Sequence, residues 1–197
     1  MENNNKKKLQ LSFNSPVVLG FVFCCFGVLI LDTLTGHFMV NEFFSVYRSS
    51  LFNPLTYVRF FGHVLGHAGW EHFFGNMMML LLVGPLLEEK YGSGNLLVVI
   101  LSTALVTGLI HFVFFPHSQL LGASGVVFAF IMLSSMTSFK EGKIPLTFIL
   151  VALIYIGQQV YSGMFVQDNI SNLTHIVGGM VGSWLGYVMN KNKMHKY

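Results

Sequence analysis

Charge is what this sequence has least of. Lysine and arginine number 11 and aspartate and glutamate 8 in 197 residues, 10% of the chain, against 53% hydrophobic residues and a mean hydropathy of +0.63. Soluble domains carry roughly a quarter of their residues charged, so a water-soluble globule is excluded and an integral membrane protein remains. Cysteine is nearly absent. Cys24 and Cys25 are adjacent inside an apolar run, badly placed for a structural disulfide, and read as packing residues. No small-residue cleavage pattern follows the first hydrophobic run, so it is read as a membrane span and not as a signal peptide. No convincing internal repeat is found, which argues against a small transporter built from duplicated halves.

What is there is a succession of apolar segments, at residues 16–31, 70–87, 96–115, 122–138, 145–161 and 173–189. Each approaches the roughly 20 residues a helix needs to cross the hydrocarbon, the fourth being the shortest. They predict an all-α polytopic protein, a bundle of six transmembrane helices. Residues 1–15 are a polar cytoplasmic tail, 16–189 a single core and 190–197 a second cytoplasmic tail. Lys6, Lys7, Lys8, Lys90, Lys140, Lys143, Lys191, Lys193 and Lys196 fall on the face of the termini, with Arg48 and Arg59 on the other. The asymmetry makes both termini cytoplasmic. It also accounts for the net charge of +3 as an orientation signal, with no nucleic-acid partner implied.

One stretch carries chemistry. Gly122-Ala123-Ser124-Gly125 opens the fourth segment, and a serine at a helix start lies near unpaired backbone N–H groups and the positive end of the helix dipole. An acyl-transfer oxyanion would be stabilised there. The same small residues also occur wherever helices pack closely, so the serine needs a base. His175 is the candidate: it lies one turn before Gly178, with Gly182 and Gly186 beyond on the same face, and that face admits close approach of another helix.

Residues 36–69 mix Phe43, Phe44, Tyr47, Phe52, Phe60 and Phe61 with Arg48 and Arg59, a composition suited to the membrane interface, and are expected to lie in the outer leaflet. His63, His67 and His72 follow, with Asn76 one turn after His72. A zinc reading fails, because three residues separate His67 from Glu71 where the H-x-x-E-H motif has two, and no intramembrane carboxylate completes a ligand set. No metal and no cofactor are implied. His72 and Asn76 instead present two neutral donors on one helical face, either an oxyanion donor pair or interhelical hydrogen bonds that hold the bundle. His111 and His117 read as interfacial, and His37 and His195 carry no signal. Met77, Met78 and Met79 read as pliable packing.

In order along the chain, His63-x3-His67-x4-His72-x3-Asn76, Glu88-x3-Gly92-x-Gly94, Gly122-x-Ser124-Gly125 and His175-x2-Gly178-x3-Gly182 resemble the rhomboid family of intramembrane serine proteases. No single piece is diagnostic; the ordered set, from about Arg59 to Gly186, is. The resemblance implies that Ser124 is the nucleophile and His175 the base, with His72, Asn76 and the Ser124 backbone N–H as the oxyanion hole. It implies that 36–69 is a membrane-embedded first loop, that Arg59 and Glu88 are structural anchors, and that the fifth span with Gln158 and Gln159 is a lateral substrate gate. The substrates it implies are transmembrane proteins in the lipid bilayer of a bacterial inner membrane, cut in a cavity that opens outward.

Two departures are visible. Many rhomboids have a tyrosine one turn after the serine, where this chain has Phe128, and many have Trp-Arg in the first loop, where this chain has Val58-Arg59. Neither removes a proton-transfer group. All eight acidic residues fall at or beyond the ends of the predicted spans, and a mid-membrane carboxylate costs about 2.5–3.5 kcal/mol, so a Ser–His dyad is expected without a third member. Asp168, in the loop before the sixth span, reads as a solvated charge. The alternative is a rhomboid-like protein that binds transmembrane helices without cutting, although such proteins typically lack the serine or the histidine.

Overall fold

The computed structural model describes residues 12–137, 143–165 and 169–194. Among them are eight α-helices: α1 (Pro16–Leu34), α2 (Phe38–Phe43), α3 (Pro54–Gly62), α4 (Trp70–Tyr91), α5 (Ser93–Phe114), α6 (Ser124–Ser135), α7 (Leu146–Phe165) and α8 (Asn169–Met194), with a 3-10 turn at His63–Leu65. The protein is all-α, as its composition predicts. Outside the helices an isolated antiparallel bridge joins Val46 and Leu120. Each of the six predicted apolar segments overlaps one helix, α1 or one of α4 to α8. By length and composition, α1 and α5 are long and apolar enough to cross a membrane among the described residues, whereas α6 is apolar but only 12 residues long.

Hydropathy misplaces several boundaries, because caps and backbone conformation end helices and apolarity does not. The first helix runs past residue 31 to Leu34, which puts Asp32 inside its last turn. There Asp32 is buried, accepting hydrogen bonds from the Val40 N–H (2.8 Å) and pairing with His37 Nδ1 (2.8 Å). His37, which carried no signal in the sequence, takes the left-handed conformation (φ 68°) that turns the chain into α2. The second predicted span continues beyond residue 87 to Tyr91 and stops at Gly92, whose φ of 85° no helix tolerates. Asp32, Glu88 and Glu89 are therefore within helices and not beyond them. Glu88 accepts from the Val17 and Val18 N–H groups at the start of α1, both at 3.0 Å, and from Ser93 Oγ at 2.7 Å. A carboxylate thus satisfies donors that a first helical turn always leaves unpaired. The fourth segment begins only at Ser124, because Gly122 has φ 118°.

The stretch between α1 and α4 is built rather than slack. Arg59, 2% exposed, donates from Nε to the Glu42 carbonyl (2.7 Å) and from Nη2 to Glu42 Oε1 (2.9 Å), and its guanidinium lies 4.3 Å from the Tyr47 ring centre. Gly66 lies so close to the Phe44 carbonyl that any side chain there would collide with backbone.

The core centres on α6. Val126, Ala129, Phe130 and Leu133 are fully buried among α4, α5 and α8. On the α8 side the contact is backbone to backbone: a methyl group at Gly178 would overlap the Gly125 carbonyl, and one at Gly182 the Ala129 carbonyl. Without a hydrophobic drive between helices in lipid, such close van der Waals contact is what holds them together.

Candidate active site

Ser124 is the first residue of α6, and two of the four residues before it are tied down from elsewhere. Leu120 exchanges both backbone hydrogen bonds with Val46 (2.9 Å each), and the Gly122 N–H donates to the His63 carbonyl at 2.9 Å. The first internal bond of the helix start is Val127 N–H to the Ala123 carbonyl at 2.9 Å. The N–H groups before it belong to the unpaired set at every helix N-terminus, which is where an oxyanion gains most.

His175 is half-buried on α8 one turn before Gly178, and Gly178 is the residue pressed on Gly125. Serine and histidine each sit within a turn of this backbone-to-backbone contact. The Phe128 ring lies beneath the imidazole, centroids 4.5 Å apart and planes tilted by 45°.

From α4, His72 leans over Gly122. A Cβ at Gly122 would lie 2.6 Å from His72 Cε1 and 2.8 Å from Nε2. The Ala68 N–H donates to His72 Nδ1 at 3.5 Å, which favours the tautomer carrying its proton on Nε2. One turn on, Asn76 is 7% exposed and its Nδ2 has no hydrogen-bond partner among the described residues. Buried donors are rarely left so.

Ser124, His175, His72, Asn76 and Phe128 all line one cavity of about 570 Å³. Gln119, Thr174 and Met79 share its wall, and the sequence offered no signal for them beyond nearness to the motif residues. His63, His67 and His111 are not among the residues lining the cavity. His63 Nε2 donates to the Ala104 carbonyl (3.0 Å) and His67 Nδ1 to the Leu65 carbonyl (3.2 Å). Burial lowers the pKa of each from 6.5 to about 4, so both imidazoles are neutral donors at ordinary pH. His111, near the end of α5, is fully buried in the protein and donates from Nε2 to the Ser118 carbonyl at 3.2 Å. The signal was available, since Thr103, Thr107 and His111 recur every four residues and all three are buried on one face of α5. Glu88 and Arg59 lie away from the cavity in the contacts given above. The side chains of Gln158 and Gln159, on α7, and the whole of Asp168 lie outside the described part of the structure. No group of three metal-ligating side chains converges among the described residues.

Comparison with known proteins decides the family, for the Rhomboid domain matches residues 54–192, from the start of α3 almost to the end of α8. The chain belongs to the rhomboid family. Among its relatives, Rhomboid-related protein 2 of Mus musculus is 32% identical over 70% of this chain and 52% of its own length. Rhomboid protease GluP of Bacillus subtilis is 29% identical over 72% of this chain and 27% of its own. Rhomboid protease GlpG of Pectobacterium atrosepticum is 26% identical over 90% and 64% respectively. This rhomboid thus spans about half the length of the mouse relative and about a quarter of the Bacillus one. Membership and the apolar helices together make it an integral membrane protein of a family that includes serine proteases.

Proposed function

We propose that this rhomboid is an intramembrane serine endopeptidase acting through a Ser124–His175 dyad. The observation that carries the reading is the single cavity whose wall holds Ser124, His175, His72 and Asn76. Neutral His175 takes the Ser124 proton as Oγ attacks a scissile carbonyl, and the imidazolium then returns it to the leaving amine. The oxyanion is received by the Ser124 N–H, His72 Nε2–H and Asn76 Nδ2–H, all charge-neutral donors fixed before reaction. The Phe128 ring supports the imidazole by its face alone.

The substrates in this reading are single-pass membrane proteins, cut near the outer end of their span, with the lysine-rich face of a six-span bundle toward the cytoplasm of a bacterial cell. A helical peptide bond is hydrogen-bonded and wrapped by side chains until the helix opens, so the cut falls at a small residue followed by a helix-weakening glycine or proline. Substrate enters past α7, the helix that bears Gln158 and Gln159.

The test is labelling by a fluorophosphonate together with cleavage of a single-pass reporter. Wild type should do both and Ser124→Ala neither. Cleavage persisting in Ser124→Ala would overturn the reading, and a folded wild type that binds the reporter without labelling or cutting it would favour the non-proteolytic alternative.

A further inference from the structure

The end of α6 opposite Ser124 is gripped by side chains from two other helices. Met136 and Thr137 follow the last turn of α6, and their carbonyls have no further turn to bond. Asn190 of α8, 6% exposed, places Nδ2 3.0 Å from the Met136 carbonyl, 2.8 Å from the Gly186 carbonyl and 3.0 Å from the Tyr91 hydroxyl. Two amide hydrogens are thus shared among three acceptors on α4, α6 and α8. Beside it, Lys90 Nζ of α4 donates to the Thr137 carbonyl. The helices that carry His72, Asn76 and His175 at one end hold α6 by its tail at the other.

Two features of α6 make that grip consequential. At about 1.5 Å per residue its 12 residues measure roughly 18 Å, short of the ~30 Å of hydrocarbon, so polar ends seated at the two interfaces cannot set its depth. The seam with α8 sets it in one direction only. Gly178 faces Gly125, Gly182 faces Ala129 and Gly186 faces the Leu133 and Met136 side chains. A one-turn slide that drives Leu133 onto Gly182 is blocked, but the opposite slide puts Gly182 on Gly125 and Gly186 on Ala129, glycine on a small residue again. A single buried polar group breaks such degeneracy, as a lone asparagine fixes register in coiled coils.

We propose that Asn190, seconded by Lys90, is a positioning residue that sets the axial register of α6 against α8 and thereby places Ser124 Oγ opposite His175. The inference rests on the Ser124–His175 reading above. The test compares full-length wild type, Asn190→Leu, Asn190→Ser, Tyr91→Phe and Ser124→Ala in the same detergent. For each, the fluorophosphonate labelling rate, kcat and KM on the reporter are measured per folded molecule, well below the melting temperature. Misplacing a nucleophile by an ångström can cost about a hundredfold, so both Asn190 variants should lose roughly ten- to a hundredfold in labelling rate and kcat with KM within about twofold. Tyr91→Phe, which leaves the Met136 contact in place, should stay within about twofold of wild type. Should Asn190→Leu not fold, Asn190→Ser decides, since its hydroxyl can bond back within its own helix but is too short to reach Met136. Wild-type rates in the Asn190 variants, or losses confined to KM or to folded yield, overturn the proposal. Inert Ser124→Ala alongside unimpaired Asn190 variants removes the register role alone, whereas an active Ser124→Ala removes the dyad and the proposal together.

Discussion

The buried histidines of the first loop and α5 differ from the two that face the cavity in what surrounds them, and not in residue type or hydropathy. His63, His67 and His111 each spend one ring nitrogen on a backbone carbonyl and have the other enclosed in protein. His72 and His175 line open space shared with Ser124. A histidine in an apolar chain is thus no evidence of catalysis by itself; what separates the two groups is whether a nitrogen can meet a reacting atom. The first group should behave as structure and the second as chemistry.

The hardest test of that division is His175→Ala. Loss of a general base costs about 10²–10⁴-fold, so reporter cleavage should fall at least that far while the thermal melt of the purified protein barely moves. His111→Ala should do the reverse, lowering the melting temperature through a cavity and an unpaired Ser118 carbonyl. Comparable activity loss per folded molecule in both variants would erase the distinction.

Next in size are the donors. His72→Ala and Asn76→Ala should each reduce turnover by about 10–10³-fold without abolishing it, because the remaining donor and the backbone N–H still receive the oxyanion, and the double variant should fall below either. Wild-type labelling rates in both singles would place His72 with the structural histidines.

Smaller, and on stability, is the seam. Gly178→Ala and Gly182→Ala must push α8 off α6, at about 1–3 kcal/mol each. Gly94→Ala, where nothing lies within 4 Å of the added carbon, should cost far less. Thermal melts of the three decide it.

Stability also depends on pH. His63 and His67 have pKa values near 4 when folded and about 6.5 when unfolded. Between those values the unfolded chain takes up protons that the folded chain refuses, so stability should decline as pH falls from about 6.5 toward 4 and be unaffected by these groups above 6.5. His63→Gln with His67→Gln should flatten that part of the curve, measured as melting temperature against pH.

What could be read from the chain, and what could not, follows the range of the forces involved. The serine among small residues, the glycine period at 178, 182 and 186 and the one-turn pair of His72 and Asn76 are local patterns, and each falls where helical spacing puts it. Apolarity located the helices but not their ends, since Gly92 and Gly122 stop them by backbone conformation while the neighbouring residues remain hydrophobic. The burial of Asp32 was missed because hydropathy counts a carboxylate as expensive without knowing that Val40 and His37 supply its partners. Pairing of Val46 with Leu120, which steadies the approach to Ser124, joins residues 74 apart and leaves no trace in any window of sequence.

Gly122 carries a consequence for heritable variation. Its φ of 118° suits glycine alone, and the space a side chain would take is already filled by the His72 ring. Every missense change at codon 122 therefore meets two obstacles at once, and a second change that shrinks residue 72 removes only one of them while discarding the proposed oxyanion donor. Drift at this position has no neutral first step, so in a saturation-mutagenesis selection for proteolysis residue 122 should tolerate fewer substitutions than Ser135, near the other end of the same helix.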